Sequence, residues 1–285
     1  MATFFNQAIL NFAGRITSSN ITEGEIVSGL TLTKTAITEN YGPGDGIVYA
    51  VTLTNAGVTD VTGINVTDDL GAYTLPGGTA PLVPLTYVDG SLIYYQNGIP
   101  QPTPTVTAGP PLVIGGLTVP AGGGILIIYE ARANDFAPLS AGSSIFNTAT
   151  VGGAECEATG DTAQVPTREE TVLSIAKALC PQTVSCGQDV TYTFIIQNTG
   201  NTPVLATDNL TVSDTFTPAL SGIEVSLNGS PIAEGIGYTY NEETGEFATL
   251  DGAIPIPAAT FSRDPLTGVV TTTPGVAILT VTGRI

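Results

Sequence analysis

Three residue types in this chain are spaced so that they could react with one another. The only two lysines, Lys34 and Lys177, stand at equivalent places in two halves that repeat. Each is followed by an aspartate at a matching position, Asp68 in Asn65-Val-Thr-Asp68 and Asp214 in Thr211-Val-Ser-Asp214. An asparagine completes the set in the segment Phe146-Asn147-Thr-Ala149, which reads like Phe5-Asn6-Gln-Ala8 near the start of the chain. Residues two apart on a strand share a face. By that count Lys34 lies with Leu30 and Leu32, Lys177 with Ile175 and Leu179, and Asp68 with Ile64, Val66 and Leu70. Asp214 lies with Val212 and Phe216, Asn147 with Ile145, Ala149 and Val151, and Asn6 with Phe4, Ala8, Leu10 and Phe12. Polar groups on apolar faces cost several kcal/mol unless they find each other, so lysine, aspartate and asparagine are expected to converge. Such a trio is either a buried ion pair with an asparagine satisfying leftover hydrogen bonds, or a reacting set. In the second case burial disfavours the ammonium, and the neutral amine attacks the asparagine carbonyl while a protonated aspartate polarises it, releasing ammonia.

The elements that must position these residues are strands. Charged residues make up only 11% of the sequence, Gly and Pro are abundant, and Thr, Val and Ile recur in short alternating runs between turn residues, which predicts an all-β protein. The length allows two domains. The halves run in parallel: Tyr49 and Tyr192 each follow their lysine by fifteen residues, and Asn55 and Asn198 follow the tyrosines by six. Asn97-Gly98 and Asn228-Gly229 mark tight hairpins. The penultimate strands are Ile125 to Arg132 and Ala277 to Arg284. The first half continues fifteen residues from Arg132 to Asn147, whereas the second reaches Ile285 before its own copy of the Asn147 strand. The expected organisation is a donor strand and flexible connector over 1–28, a sandwich domain A over 29–152, an inter-domain segment over 153–170, and a sandwich domain B over 171–285 lacking its last strand. The strand from Phe4 to Phe12, with Phe4, Phe5, Asn6, Ala8, Leu10 and Phe12 as its contacts, is expected to complete domain B of a second copy. Asn6 then becomes the partner of Lys177 and Asp214, as Asn147 is of Lys34 and Asp68.

The succession Lys177, Gly187 to Tyr192 with Asp189, Asn198-Thr-Gly200, Val212-Ser-Asp214, and Asn6-Gln-Ala8 or Asn147-Thr-Ala149 resembles a conserved-repeat domain of unknown function found in surface proteins of Gram-positive bacteria and archaea. The resemblance covers most of both halves and implies two tandem immunoglobulin-like β-sandwich domains. Short two-repeat members are similar to proteins of ribbon-like appendages on clostridial spores. It also implies that the lysine trio can form an isopeptide bond, as related sandwich domains of Gram-positive pili do. The expected function is a structural subunit that assembles head to tail into an extracellular fibre. Without a recognisable signal peptide or sorting motif, a spore appendage made in the mother cell fits better than a wall adhesin. An alternative is a monomeric adhesion or glycan-binding module whose first strand folds back.

Other chemistry is sparse. A net charge of −18 with seven basic residues argues against nucleic acid and anionic membranes as partners. The longest apolar run, Ile125 to Tyr129, has strand length. There is no histidine and no Cys-x-x-Cys spacing, so neither a metal nor a cofactor is expected. As pairs, Asp68-Asp69, Glu155-Cys-Glu157 and Glu242-Glu243 could be carboxylates for hydrolysis or calcium but read better as turn residues, and Gly122 to Gly124 reads as a turn. No enzyme in the ordinary sense is expected. Of Cys156, Cys180 and Cys186, two can join and one is left over. Joining Cys180 to Cys186 closes a small loop worth about 2–3 kcal/mol, and leaves Cys156 for a neighbouring molecule.

Overall fold

A computed structural model describes residues 2–26, 29–78, 80–152 and 159–285. The described chain is built almost wholly of strands, and its contacts divide it into two compact units. Unit 1 comprises residues 1–138 with 144–166, and unit 2 comprises 139–143 with 167–285.

Unit 1 begins with four strands, β1 (Ala2–Asn6), β2 (Ile9–Phe12), β3 (Arg15–Ser18) and β4 (Thr22–Ile26). They form one long hairpin: β2 pairs antiparallel with β3 across an Ala13-Gly14 turn, and β1 pairs with β4. Both turn residues have positive φ, 52° and 79°, as a two-residue hairpin of the primed type requires. Between the two ladders the Ser19 hydroxyl accepts from the Ala8 N–H at 2.9 Å, and Gln7 donates to the Ser19 carbonyl at 2.8 Å. The expectation of a flexible connector after the first strand is therefore corrected, since Arg15–Ser18 and Thr22–Ile26 are strands. The Thr and Ser content that suggested a loop supplies strand residues.

The unit 1 sandwich follows with β5 (Leu30–Ala36), β6 (Gly46–Asn55), β7 (Val61–Asp68), β8 (Leu85–Tyr87), β9 (Ile93–Gln96), β10 (Ile99–Gln101) and β11 (Thr105–Thr107). It continues with β12 (Leu112–Val119), β13 (Gly124–Ala133), β14 (Ser144–Gly152) and β15 (Gly160–Pro166). One sheet runs β10-β9-β13-β6-β5 with β8 also on β13, and the other runs β11-β12-β7-β14-β15. Strict alternation puts Leu30, Leu32, Ile47, Tyr49, Val51, Ile64, Val66, Ile125, Ile127 and Ile145 into the core between them. Strand β15 falls within the segment read as inter-domain, and it pairs with β14 along seven residues, closing the sandwich beside β5.

Unit 2 repeats the plan with β16 (Leu173–Cys180), β17 (Asp189–Asn198), β18 (Ser213–Thr215), β19 (Ser221–Leu227), β20 (Ser230–Ile232) and β21 (Tyr238–Tyr240). After them come β22 (Glu246–Thr249), β23 (Thr260–Arg263), β24 (Val270–Thr273) and β25 (Gly275–Arg284). Its larger sheet runs β16-β17-β25-β19-β20 and its smaller one β18-β22-β21. Phe194, Phe216, Phe247, Ile254, Leu279 and Val281 fill the space between. The repeated Asn-x-Gly turns are fixed the same way in both units. The Asn55 amide donates to Thr59 and Val119 carbonyls and its oxygen accepts from Gly57 N–H, while Asn198 does the same with Thr202, Pro257 and Gly200.

Candidate functional site

In unit 1 the three reactive residue types meet in the core. Lys34, on β5, Asp68, at the end of β7, and Asn147, on β14, are each buried to 3% exposure or less. The Lys34 ammonium lies 2.6 Å from Asp68 Oδ2. The Tyr129 hydroxyl, on β13, donates to the same Oδ2 and accepts from Asn147 Nδ2 at 3.3 Å. The Asn147 oxygen accepts from the Gly71 backbone N–H at 3.1 Å, and Asp68 Oδ1 accepts from Leu70 N–H at 3.0 Å. A continuous chain of hydrogen bonds thus runs from amine to carboxylate to phenol to amide. Gly71 sits at a positive φ of 74°, and a Cβ there would come within 2.8 Å of Ile145, so the close approach to β14 favours glycine.

The walls are aromatic. Tyr49 and Tyr129 stack with ring centroids 5.6 Å apart, and the Lys34 ammonium lies 4.9 Å from the Tyr49 ring centroid. Burial pushes the Lys34 amine below the ordinary lysine range, against the pull of Asp68. Burial and then the Asp68 charge push the Tyr129 and Tyr49 phenols above theirs, so both stay protonated. The Tyr49 hydroxyl is buried with no hydrogen-bond partner among the described residues. Asp69 is structural, its Oδ1 accepting from Gly71 and Thr148 N–H.

Tyr129 was not singled out from the sequence, although its place between Ile127 and Ala131 on an inward face marked its hydroxyl as needing a partner. Its register is informative: Tyr129 stands opposite Tyr49 on β6, and in unit 2 the residue opposite Tyr192 is Val281. Unit 2 therefore has no phenol at this position.

In unit 2 the lysine and aspartate also pair, Lys177 Nζ with Asp214 Oδ2. The ammonium rests near three rings, 4.6 Å from the centroid of Tyr192 and 5.4 Å from those of Phe194 and Phe216. The surroundings differ from the expectation of a core: the Lys177 side chain is 40% exposed, where that of Lys34 is fully buried. The cause is the sheet edge. In unit 1, β14 pairs with β7 with Ala149 opposite Asp68, whereas β18, which carries Asp214, pairs only with β22 and stands at the end of its sheet. Asn6 lies on β1, and every residue from Phe4 to Glu23 is exposed, including Phe5, Ala8, Leu10 and Phe12.

Cys180 and Cys186 are exposed free thiols, and Cys156 lies outside the described residues. Among the described residues no group of three His, Cys, Asp or Glu side chains gathers as for a metal ion, and no helix is long and apolar enough to cross a membrane.

No family model matches the sequence, and no curated protein matches it. Several solved structures share some of its architecture. BcpA, the major pilin subunit of Bacillus cereus, is 14% identical over 96% of this chain and 73% of its own, with a TM-score of 0.36. The 35 kDa C-terminal fragment of the major pilin GBS80 of Streptococcus agalactiae is 13% identical over 87% and 91%, with a TM-score of 0.35. ACE19, the collagen binding subdomain of the Enterococcus faecalis surface protein ACE, is 9% identical over 48% and 96%, with a TM-score of 0.33. These likenesses are too loose to assign a function or a partner.

Proposed function

We propose that this chain is a structural subunit that polymerises head to tail on a cell or spore surface, each joint formed when the N-terminal segment of one copy completes unit 2 of the next. The reading rests on one contrast. The same lysine–aspartate pair occurs twice, once buried with an asparagine on a neighbouring strand and once half-exposed at a sheet edge where that strand is absent. A spore appendage is the setting the sequence pattern suggests.

In the proposed chemistry the Lys34 proton passes to Asp68, and the neutral amine attacks Cγ of Asn147. The Nζ–Cγ bond forms, the carbonyl oxygen facing Gly71 N–H takes up the negative charge, and the Cγ–Nδ2 bond then breaks. The proton held by Asp68 reaches Nδ2 through the Tyr129 hydroxyl, which touches both, ammonia leaves, and the attacking nitrogen gives up its second proton to Asp68, which ends protonated. The products are one amide and one ammonia, with no oxidant or cofactor consumed. A bond of the same kind between Lys177 of one copy and Asn6 of another, with Asp214 in the place of Asp68 and without a phenol in the place of Tyr129, would make the joint covalent.

The deciding experiment is a denaturing gel of boiled, reduced fibres. The expected result is a ladder of subunit multiples that Lys177→Ala or Asn6→Ala collapses to monomer, while Lys34→Ala leaves it intact. A wild-type fibre that dissolves entirely to monomer with no ammonia lost would leave the ion-pair reading in place.

A further inference from the structure

The element donated between copies is read above as one strand, but the geometry of residues 2–26 carries more. In unit 1 the strand bearing Asn147 arrives with a companion. β14 and β15 form an antiparallel pair in which Ile145 faces Val165, Phe146 faces Gln164 and Asn147 faces Ala163. In the N-terminal hairpin Phe4 faces Gly24, Phe5 faces Glu23 and Asn6 faces Thr22. The spacing between partners is the same pair by pair: 20, 18 and 16 residues in both hairpins. Exposure of the outward aromatic agrees as well, Phe146 at 56% and Phe5 at 64%. The pair in the place of Ile145 and Val165 is filled in a different way. Ile145 and Val165 share the space in unit 1, while in the hairpin the Phe4 ring lies over Gly24, where an added Cβ would come within 2.3 Å of it.

The companion strand has a defined task in unit 1. β15 packs along β5, Asp161 Oδ2 accepts from the Lys34 backbone N–H at 2.8 Å, and Ala163 and Val165 are buried. Under this cover Leu30 and Leu32 are 4% and 5% exposed, whereas their counterparts on β16, Leu173 and Ile175, are 40% and 57% exposed. A single donated strand at the β18 edge would supply the asparagine and leave the β16 face bare. The hairpin for its part is two-stranded, buries no face of its own, and displays Phe4, Phe5, Ile9, Leu10, Phe12, Ile16 and Ile21 to solvent, an arrangement that is marginal in water without a partner.

Building on the proposed strand donation, we infer that the whole hairpin, residues 2–26 of a second copy of this chain, docks onto unit 2 as β14 and β15 dock in unit 1. Its first arm lies against β18, with Ala8 opposite Asp214 and Leu10 opposite Val212, the register of Ala149 with Asp68 and Val151 with Val66. Its return arm covers β16, burying Leu173, Ile175 and Lys177. β-Augmentation by two strands satisfies the open sheet edge and the bare apolar face in one step.

Amide hydrogen exchange on the full chain, compared between assembled fibres and dilute monomer, tests this. In fibres, residues 2–12, residues 15–26 and residues 173–180 should all slow by about tenfold or more. If 2–12 and the β18 region are protected while 15–26 and 173–180 exchange as fast as in the monomer, one strand is donated, and the hairpin inference falls while strand donation stands. Fibres in which neither arm is protected, or a chain that does not assemble, overturn both. A second variant separates them independently. Glu23→Pro breaks the β1–β4 ladder at Phe5 without touching the Asn6 strand, and should slow assembly at least about tenfold; assembly at the wild-type rate would count against the return arm.

Discussion

Replacing both charged partners of the unit 1 site at once distinguishes an ion pair from a covalent bond by the sign of the effect. The variant is Lys34→Met with Asp68→Asn, in a chain carrying Asn6→Ala to keep it free of crosslinks between copies. Methionine keeps the apolar stem beside Tyr49, and an asparagine at 68 keeps its oxygen for the Leu70 N–H while its amide nitrogen, in the place of Oδ2, donates to the Tyr129 hydroxyl. If the wild-type site holds only a buried ion pair, removing both charges together is neutral or stabilising by up to a few kcal/mol, because desolvation of the pair offsets its attraction. If it holds an amide, the wild type has a closed loop from residue 34 to residue 147, about 110 residues, and losing it costs about 5 kcal/mol in the chain-entropy model.

For a unit of this size that loss lowers the melting temperature by ~10–20 °C. Calorimetry reads the shift, and intact-mass spectrometry reads whether the parent chain has lost one ammonia that the variant retains. A variant that melts at or above the parent temperature, with no mass difference beyond the substitutions, would refute the crosslink at Lys34 and Asn147.

Three further outcomes are expected. Tyr129→Phe keeps the ring stacked on Tyr49 but removes the hydroxyl joining Asp68 to Asn147, so freshly synthesised chain should lose ammonia about 10²-fold or more slowly; an unchanged rate measured by pulse-labelled mass spectrometry would remove Tyr129 from the proton path. In Asn147→Ala, which cannot crosslink, burial holds the Lys34 pKa below its unfolded value of about 10.4. The unfolded chain then binds the extra proton between those two values, so urea midpoints should rise with pH across that interval, level off below it, and turn down only above about pH 10 where unfolded tyrosines ionise. Cys180 and Cys186 are exposed, so fibres matured in air should titrate fewer than three thiols per chain under denaturing conditions, and a titre of three would exclude any bridge.

Strand period made much of the site legible before any coordinates. Counting by twos placed Lys34, Asp68 and Asn147 on inward faces because each is flanked at i±2 by apolar residues, and all three are buried. The same count put Lys177 in a core as well, whereas its side chain is 40% exposed, because exposure depends on which strands are present and not on alternation. Tyr129 escaped because alternation gives a side chain's direction and not its hydrogen-bond partner. The return arm of the hairpin was hidden by composition. Ser18, Ser19 and Asn20 read as loop, and the Ala13-Gly14 turn lacks the Asn-Gly signature that identified the hairpins at 97–98 and 228–229. Strand β15 was missed for a related reason, since Gly160-Asp-Thr-Ala-Gln-Val-Pro166 carries only two apolar inward residues, Ala163 and Val165.

The difference between the two sites also implies an order of events under the proposed function. Burial is what disfavours an ammonium ion and favours the free amine that attacks. Lys34 has that burial within its own chain, with Asn147 and the Tyr129 hydroxyl already in place, so unit 1 can close as soon as it folds. Lys177 lies on an aromatic shelf that suits a cation, with its other side exposed and no strand beyond β18 in the place of the Asn147 strand. Seating a second copy's hairpin would deliver the asparagine and exclude the water in the same motion. A site built this way reacts only after correct docking, and a subunit waiting unpartnered keeps its lysine unspent. Val281 in place of a tyrosine fits that logic, because a joint that needs docking to react has no need of a proton path ready beforehand. Val281→Tyr, which fills the place of Tyr129, should then speed the Lys177–Asn6 bond in docked fibres without making undocked monomer react, and a variant monomer that lost ammonia unaided would break this argument.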